Sequence, residues 1–79
     1  MQHGPIEEAL IKYYGEKAEW EGRDLYSIGN KRVIYRNGNI ASVGNDRLEY
    51  EGSKLIYVRN DRVEYSCGEI TKIGNKRIG

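Results

Sequence analysis

The sequence predicts a mainly β (α+β) protein, in which a short N-terminal helix precedes an antiparallel β-meander of 15-residue hairpin repeats that is curled or barrel-like. Three observations lead to this fold class. From residue 28 onward the chain repeats itself every fifteen residues. Each copy contains two turn signals rich in Gly and Asn, with β-branched and aromatic residues between them. A helical pattern, with a proline at its start and a glycine at its end, precedes the copies. We expect one domain over residues 1–79.

The helix is predicted over residues 4–15, GPIEEALIKYYG. Pro5 suits the first helical position, and Gly15 can end the helix in the left-handed conformation. Two glutamates in the first turn favour the positive end of the helix dipole. One stripe at i, i+4 and i+7 is apolar, and it consists of Ile6, Leu10 and Tyr13. We expect this stripe to pack on the aromatic face of the sheet.

The repeats, which we assign to residues 16–79, align in columns when they are spaced by fifteen residues. A degenerate first copy begins near residue 16, and a partial last copy begins at residue 73. The arginine column is Arg32, Arg47, Arg62 and Arg77. The aromatic column is Trp20, Tyr35, Tyr50 and Tyr65. The aliphatic column is Leu25, Ile40, Leu55 and Ile70. Such columns indicate one supersecondary unit that is used several times.

Two turns divide each copy into strands. The first turn, Asn-Gly at 37–38 and Gly-Ser at 52–53, has the chemistry of a two-residue hairpin loop. It predicts that each aromatic column residue lies opposite an aliphatic one, with Tyr35 opposite Ile40. For the second turn we predict a three-residue loop that pairs Val43 with Arg47. That loop keeps every aromatic on one face, whereas a slip of one residue would reverse the face.

This register assigns the side chains to two faces of about nine short strands. The predicted inner face consists of Trp20, Leu25, Val33, Tyr35, Ile40, Leu48, Tyr50, Leu55, Tyr57, Val63, Tyr65 and Ile70. The predicted outer face consists of Arg32, Ile34, Val43, Arg47, Glu49, Ile56, Val58, Arg62, Glu64 and Ile73. Nine flat strands would span roughly 40 Å, but a ten-residue helix is only about 15 Å long. The sheet is therefore expected to curl or nearly close, or else to bury the remaining face in a homodimer.

A β-solenoid with 15-residue coils is the alternative architecture. It would stack identical residues about 4.8 Å apart, which suits an asparagine ladder but brings like-charged arginines together. The Asn-Gly turns also favour hairpins. One half of the copy, seen in YRNGNIASV and YSCGEITKI, resembles the Y-x-x-G-x-[IL] centre of YD (Rhs) repeats. The resemblance covers about half of each copy, the repeat is shorter here, and no function is inferred from it.

Composition and charge restrict the cellular setting. The net charge is +1, with three basic and six acidic residues in 1–27 and ten basic and six acidic residues in 28–79. No apolar run approaches the ~18 residues of a membrane span, so we expect no membrane partner. The N-terminus lacks the pattern of a signal peptide, and Cys67 is the only cysteine, so we expect a reducing cytoplasm.

No constellation in the sequence points to catalysis, a metal or a cofactor. His3 and Cys67 are the strongest soft ligands, but zinc sites use three or four protein ligands. Asp46 and Asp61 are expected to be solvated loop charges, because lysines occupy the same column in other copies. Glu49 and Glu64 are expected to lie on the surface. We therefore expect a protein that is not an enzyme and that has no cofactor.

The sequence is most typical of a small non-enzymatic protein-interaction or structural module, with a protein partner or a homo-oligomer. Unless the sheet closes onto its first strand, Ile78 is expected on an open sheet edge, which is a template for strand addition. The alternative is a nucleic-acid-binding module in which Arg32, Arg47, Arg62 and Arg77 contact phosphates. These arginines recur every two strands, or about 9–10 Å. Nucleic acid is not the favoured partner, because glutamates interrupt this face.

Overall fold

The computed structural model describes residues 4–78 as one helix followed by a nine-stranded antiparallel meander. The elements are α1 (Pro5–Tyr14), β1 (Ala18–Glu21), β2 (Asp24–Ile28), β3 (Lys31–Arg36), β4 (Asn39–Val43), β5 (Asp46–Glu51), β6 (Lys54–Val58), β7 (Asp61–Ser66), β8 (Glu69–Ile73) and β9 (Lys76–Arg77). Each strand pairs with the next one along the chain, in the order β1 to β9. The predicted meander is confirmed, and the solenoid alternative is wrong because every pairing is antiparallel.

The helix begins and ends as its sequence predicts. Pro5 is its first residue, and Gly15 adopts a left-handed φ of 66° and donates its N–H to the carbonyl of Ile11. Leu10 is fully buried and Ala9 is nearly so, because the helix packs against β8 and β2. Ile6 and Tyr13, the other members of the predicted stripe, are partly buried against the same core. The helix and the sheet therefore share one hydrophobic core.

The first turn of each copy also forms as predicted. Tyr35 lies opposite Ile40, and the equivalent aromatic and aliphatic pairs form in the other three hairpins. Asn37 and Cys67 occupy matching loop positions with φ of 55° and 54°. Non-glycine residues rarely adopt this conformation, and Asn tolerates it best. Cys67 is thus an exposed loop residue.

The predicted second turn is wrong. It contains two residues, so that Val43 pairs with Asp46, and Arg47 pairs with Ser42. A β-bulge in the preceding hairpin compensates for the shorter turn. Ile34 pairs with Ser42 and Tyr35 pairs with Ile40, which leaves Ala41 as an extra residue in β4. Because the bulge shifts the alternation by one residue, the aromatic column keeps its face even with a two-residue turn.

The bulge moves several residues away from the face on which the sequence placed them. Val43, Val58 and Ile73 are fully buried in the core, although they were predicted to lie outside between the arginines. Tyr57 was predicted inside, but it pairs with Glu49 and is 36% exposed. The core therefore contains two aliphatic residues from each even-numbered strand, and the outer face is more polar than predicted.

The sheet curls around the helix without closing. The molecule measures 29 × 25 × 23 Å, far less than the span of nine flat strands. Within residues 4–78, neither the outer edge of β1 nor that of β9 is paired with another strand. The expected curl is thus confirmed, and the barrel-like alternative is not, because two sheet edges remain.

Neighbouring hairpins diverge from one another, and the aromatic column bridges the gaps. Four residue pairs join β3 to β4, whereas only two join β4 to β5. Across such a gap, Tyr35 donates its hydroxyl proton to the carbonyl of Leu25, and Tyr65 donates to the carbonyl of Leu55 at 2.8 Å. The equivalent hydroxyl of Tyr50 is buried near the carbonyl of Ile40, the matching acceptor, but the geometry falls short of a normal hydrogen bond.

This difference predicts unequal costs for removing two equivalent hydroxyls. Tyr65→Phe should lower the free energy of unfolding by about 1 kcal/mol, because it deletes a hydrogen bond to a backbone carbonyl. Tyr50→Phe should lower it by less, because the buried hydroxyl of Tyr50 lies near the carbonyl of Ile40 without the geometry of a normal hydrogen bond. Urea denaturation of both variants measures the difference. Equal losses in the free energy of unfolding would show that the two hydroxyls contribute equally to stability.

Candidate functional site

The predicted arginine column lies on the outer face of the sheet. Arg32, Arg47, Arg62 and Arg77 are each the second residue of an odd-numbered strand, and all four side chains are exposed. Their cross-strand neighbours are Ser27, Ser42, Tyr57 and Lys72. The structure therefore places the four residues in equivalent positions, as the repeat predicts.

The outer face carries charges of both signs. Glu49 and Glu64 lie two residues after Arg47 and Arg62 on the same strands, and both are exposed. The guanidinium group of Arg32 lies over the ring of Tyr26, 5.0 Å from its centroid. The face thus carries an acidic group beside two of its four arginines, Arg47 and Arg62.

The backbone of the arginine column has a role of its own. The carbonyls of Arg32, Arg47 and Arg62 each accept a hydrogen bond from the N–H twelve residues later, in the turn after the next strand. Lys17 does the same in the first copy, with an N···O distance of 2.7 Å to Gly29. The carbonyl of Arg77 is the fifth member of this series. No described residue donates the equivalent hydrogen bond to it.

The edge of β9 is also incompletely covered by side chains. Ile78 donates its N–H to the carbonyl of Thr71, so it continues the strand beyond Arg77. Its equivalents Val33, Leu48 and Val63 are 6%, 6% and 5% exposed, whereas Ile78 is only half-buried. Each equivalent is covered by a β-branched residue of the following strand: Val43, Val58 or Ile73. No described strand supplies such a neighbour to Ile78.

A cleft of about 350 Å³ lies between this edge and the helix. Apolar residues line it at Ile70 of β8, Ile78 after β9, and Pro5 and Ala9 of α1. Its remaining walls are the side chains of Glu8, Lys12 and Glu69. The cleft therefore combines an apolar floor with charged groups at its rim, next to a free strand edge.

A second polar cluster joins the end of the helix to the sheet, and sequence reasoning missed it. Tyr13 and Tyr14 donate their hydroxyl protons to Asp61 and Asp46, which begin β7 and β5. Asp46 also pairs with Arg59, whose Nε lies 3.4 Å from its carboxylate. Both aspartates are partly buried, so the prediction of solvated loop charges was wrong. Edge-to-face packing of the tyrosines holds the cluster together.

The surroundings of these tyrosines raise their pKa values. Burial is the main reason that the pKa of Tyr14 lies well above its ordinary value, and the hydrogen bond to Asp46 adds to the shift. Burial and the bond to Asp61 raise the pKa of Tyr13 in the same way. Burial also raises the pKa of Tyr50 to about 12. These hydroxyls therefore stay protonated at neutral pH, and those of Tyr13 and Tyr14 donate hydrogen bonds to the two aspartates.

The raised pKa of Tyr14 predicts a loss of stability in alkali. Its pKa is higher in the folded than in the unfolded protein, so its contribution is complete below pH 10 and decreases as the pH rises above 10. Tyr14→Phe should reduce the slope of stability against pH between about pH 9.5 and 11.5. It should not abolish the slope, because other tyrosines also have raised pKa values. Urea unfolding across this range measures the slope, and an unchanged slope would contradict the assignment.

The described residues contain no group of three or more His, Cys, Asp or Glu side chains placed to hold a metal ion. His3 lies outside the described residues. The single helix of the described part is too short to cross a membrane.

No protein family, curated protein or solved structure matches the chain.

Proposed function

We propose that this chain is a small non-enzymatic protein-interaction module that binds a partner chain along the free edge of β9. The half-buried Ile78 is the observation that carries this proposal. In the three middle copies the same position is covered by a neighbouring strand, which leaves Val33, Leu48 and Val63 about 5–6% exposed. An exposed strand edge with an apolar residue is a template for an added strand.

The edge of β9 suits this role better than the edge of β1. β1 has four residues, and two of them, Glu19 and Glu21, are exposed acids. Charged residues on an edge strand oppose pairing with other chains. Both residues of β9, Lys76 and Arg77, are also exposed and charged, so charge does not separate the two edges. β9 is favoured because it continues into Ile78 and lies beside the apolar cleft.

A proline at Arg77 tests the proposal. The N–H of Ile78 points toward β8, where it bonds to the carbonyl of Thr71. Because successive N–H groups along a strand point to opposite sides, the N–H of Arg77 points away from β8, toward the open edge. Arg77→Pro should therefore block an incoming strand without removing a bond to β8. Arg77→Ala is the matched control, because it removes the side chain but keeps the edge.

Affinity capture from native extract, followed by mass spectrometry, should identify a partner that binds the parent and Arg77→Ala but not Arg77→Pro. Hydrogen exchange with the purified partner should then show protection at residues 76–78. A partner that binds all three forms equally, with no protection there, would overturn the proposal.

Nucleic-acid binding is the second candidate, and the four exposed guanidinium groups favour it. Among the described residues, the ion pairs are Lys31–Glu16 and Arg59–Asp46, so none involves the arginine column. If the column bound phosphates, changing Arg32, Arg47 and Arg62 to Gln would weaken binding to all sequences and flatten its salt dependence. Because Glu49 and Glu64 share the face, we expect no measurable binding of labelled oligonucleotides at ~50 mM salt. Micromolar binding that the triple variant loses would favour the nucleic-acid candidate instead.

A further inference from the structure

We infer that the β9 edge recognises an antiparallel strand with an aliphatic residue, two variable residues, a β-branched residue and then glycine. This inference rests on the proposed function, since it specifies the ligand of the same edge. The chemistry is that of the chain's own even-numbered strands, supplied by a partner. The arrangement of the four hairpins determines each part of the pattern.

The β-branched residue follows from the pairing of the odd and even strands. Val33, Leu48 and Val63 lie directly opposite Val43, Val58 and Ile73, respectively. Ile78 is the next member of the odd series. A strand that pairs with it in the same register would place a β-branched residue opposite Ile78 and bury both side chains in the core.

The glycine follows from the turn that comes after each even strand, where three copies have glycine and one has Arg59 with φ of 61°. The residue after Val43 is Gly44, with φ of 62°, and its N–H bonds to the carbonyl of Arg32 at 2.7 Å. Gly74 makes the same bond to Arg62. The carbonyl of Arg77 would accept the equivalent N–H from the incoming chain. Glycine is favoured because an L side chain at this φ is strained.

The aliphatic residue follows from the spacing within the even strands. Ile40, Leu55 and Ile70 lie three residues before the β-branched position, and the bulge turns both side chains toward the core. At the β9 edge, the corresponding residue would lie beside Ile70, in the 350 Å³ cleft. Ile70 is 8% exposed whereas Leu55 is fully buried, so Ile70 keeps some free surface for this contact.

A nine-residue peptide from the chain itself is a suitable probe. Residues 37–45, NGNIASVGN, contain the full pattern. The peptide, blocked at both ends, is titrated into the uniformly ¹⁵N-labelled full chain, and amide shifts are followed by NMR. The control peptide, NGNAISVGN, exchanges Ile40 and Ala41, so that composition and charge are the same but the aliphatic residue is displaced by one position.

The original peptide should shift the amides of Ile70, Arg77, Ile78 and Ala9 in a saturable manner, and the control peptide should bind at least tenfold more weakly. Arg77→Pro should weaken binding of the original peptide by a similar factor, whereas Arg77→Ala should not. These variants change only an exposed edge residue, and the peptide control leaves the folded chain untouched.

The remaining outcomes separate the two proposals. If both peptides bind the β9 edge equally, the sequence pattern is wrong, but strand addition at this edge stands. If the original peptide shifts amides elsewhere, or none at millimolar concentration, the pattern is also wrong. The proposed function is then overturned only if capture fails to distinguish Arg77→Pro from Arg77→Ala.

Discussion

Replacing Leu10 by alanine should lower the free energy of unfolding by about 2–5 kcal/mol. Leu10 is a large side chain of the helix that is completely buried, and it belongs to the same hydrophobic core as the buried residues of the strands. Truncation leaves a cavity that the surrounding strands cannot fill. A domain of this size has limited stability to lose, so partial unfolding at 37 °C is also expected.

Lys12→Ala is the matched control for this prediction, because Lys12 lies on the exposed side of the same helix. It should change the stability by less than about 0.5 kcal/mol. Urea denaturation followed by circular dichroism measures both variants. A loss below about 1 kcal/mol for Leu10→Ala would mean that the helix does not complete the core.

Replacing Val43 by lysine should be at least as damaging, at about 3–5 kcal/mol, because it places a charge without a partner in the core. The result distinguishes the observed register from one with a three-residue second turn. In that register Val43 would lie outside, beside the arginines, and lysine would be tolerated.

Ile34→Lys is the control for the register, because Ile34 is 47% exposed on the neighbouring strand. It should alter the stability by less than about 1 kcal/mol. Thermal and urea unfolding of the two lysine variants compare them directly. Similar stability for both would contradict the buried position of Val43.

The sequence was sufficient to predict the helix, the first turns and their pairings, since each depends on local chemistry. Pro5, Gly15 and the Asn-Gly turn at 37–38 require particular backbone conformations. The bulge has no such signal. Its position is occupied by Tyr26, Ala41, Ile56 and Thr71, which share neither size nor polarity. The face of Val43 could therefore be found only from the three-dimensional pairing.

The candidate site was predictable to a similar degree. The arginine column and the edge at Ile78 follow directly from the repeat. The contacts of Tyr13 with Asp61 and of Tyr14 with Asp46 join residues 48 and 32 positions apart. The repeat alone does not reveal them, because the helix is not part of the repeat. The lysines in the same column also suggested solvent exposure, yet Lys31 itself pairs with Glu16 at 3.0 Å.

The most direct test of strand addition at β9 is the scalar coupling that a backbone hydrogen bond transmits. It connects the amide nitrogen of the donor residue to the carbonyl carbon of the acceptor residue. In the free protein, such couplings should connect Gly44 to Arg32 and Gly74 to Arg62, as the hydrogen bonds do. With the peptide bound, a new coupling should connect the nitrogen of its glycine after valine to the carbonyl carbon of Arg77. A coupling from that glycine to another carbonyl, or its absence in a saturated complex, would contradict the register and sequence pattern inferred for a strand at this edge.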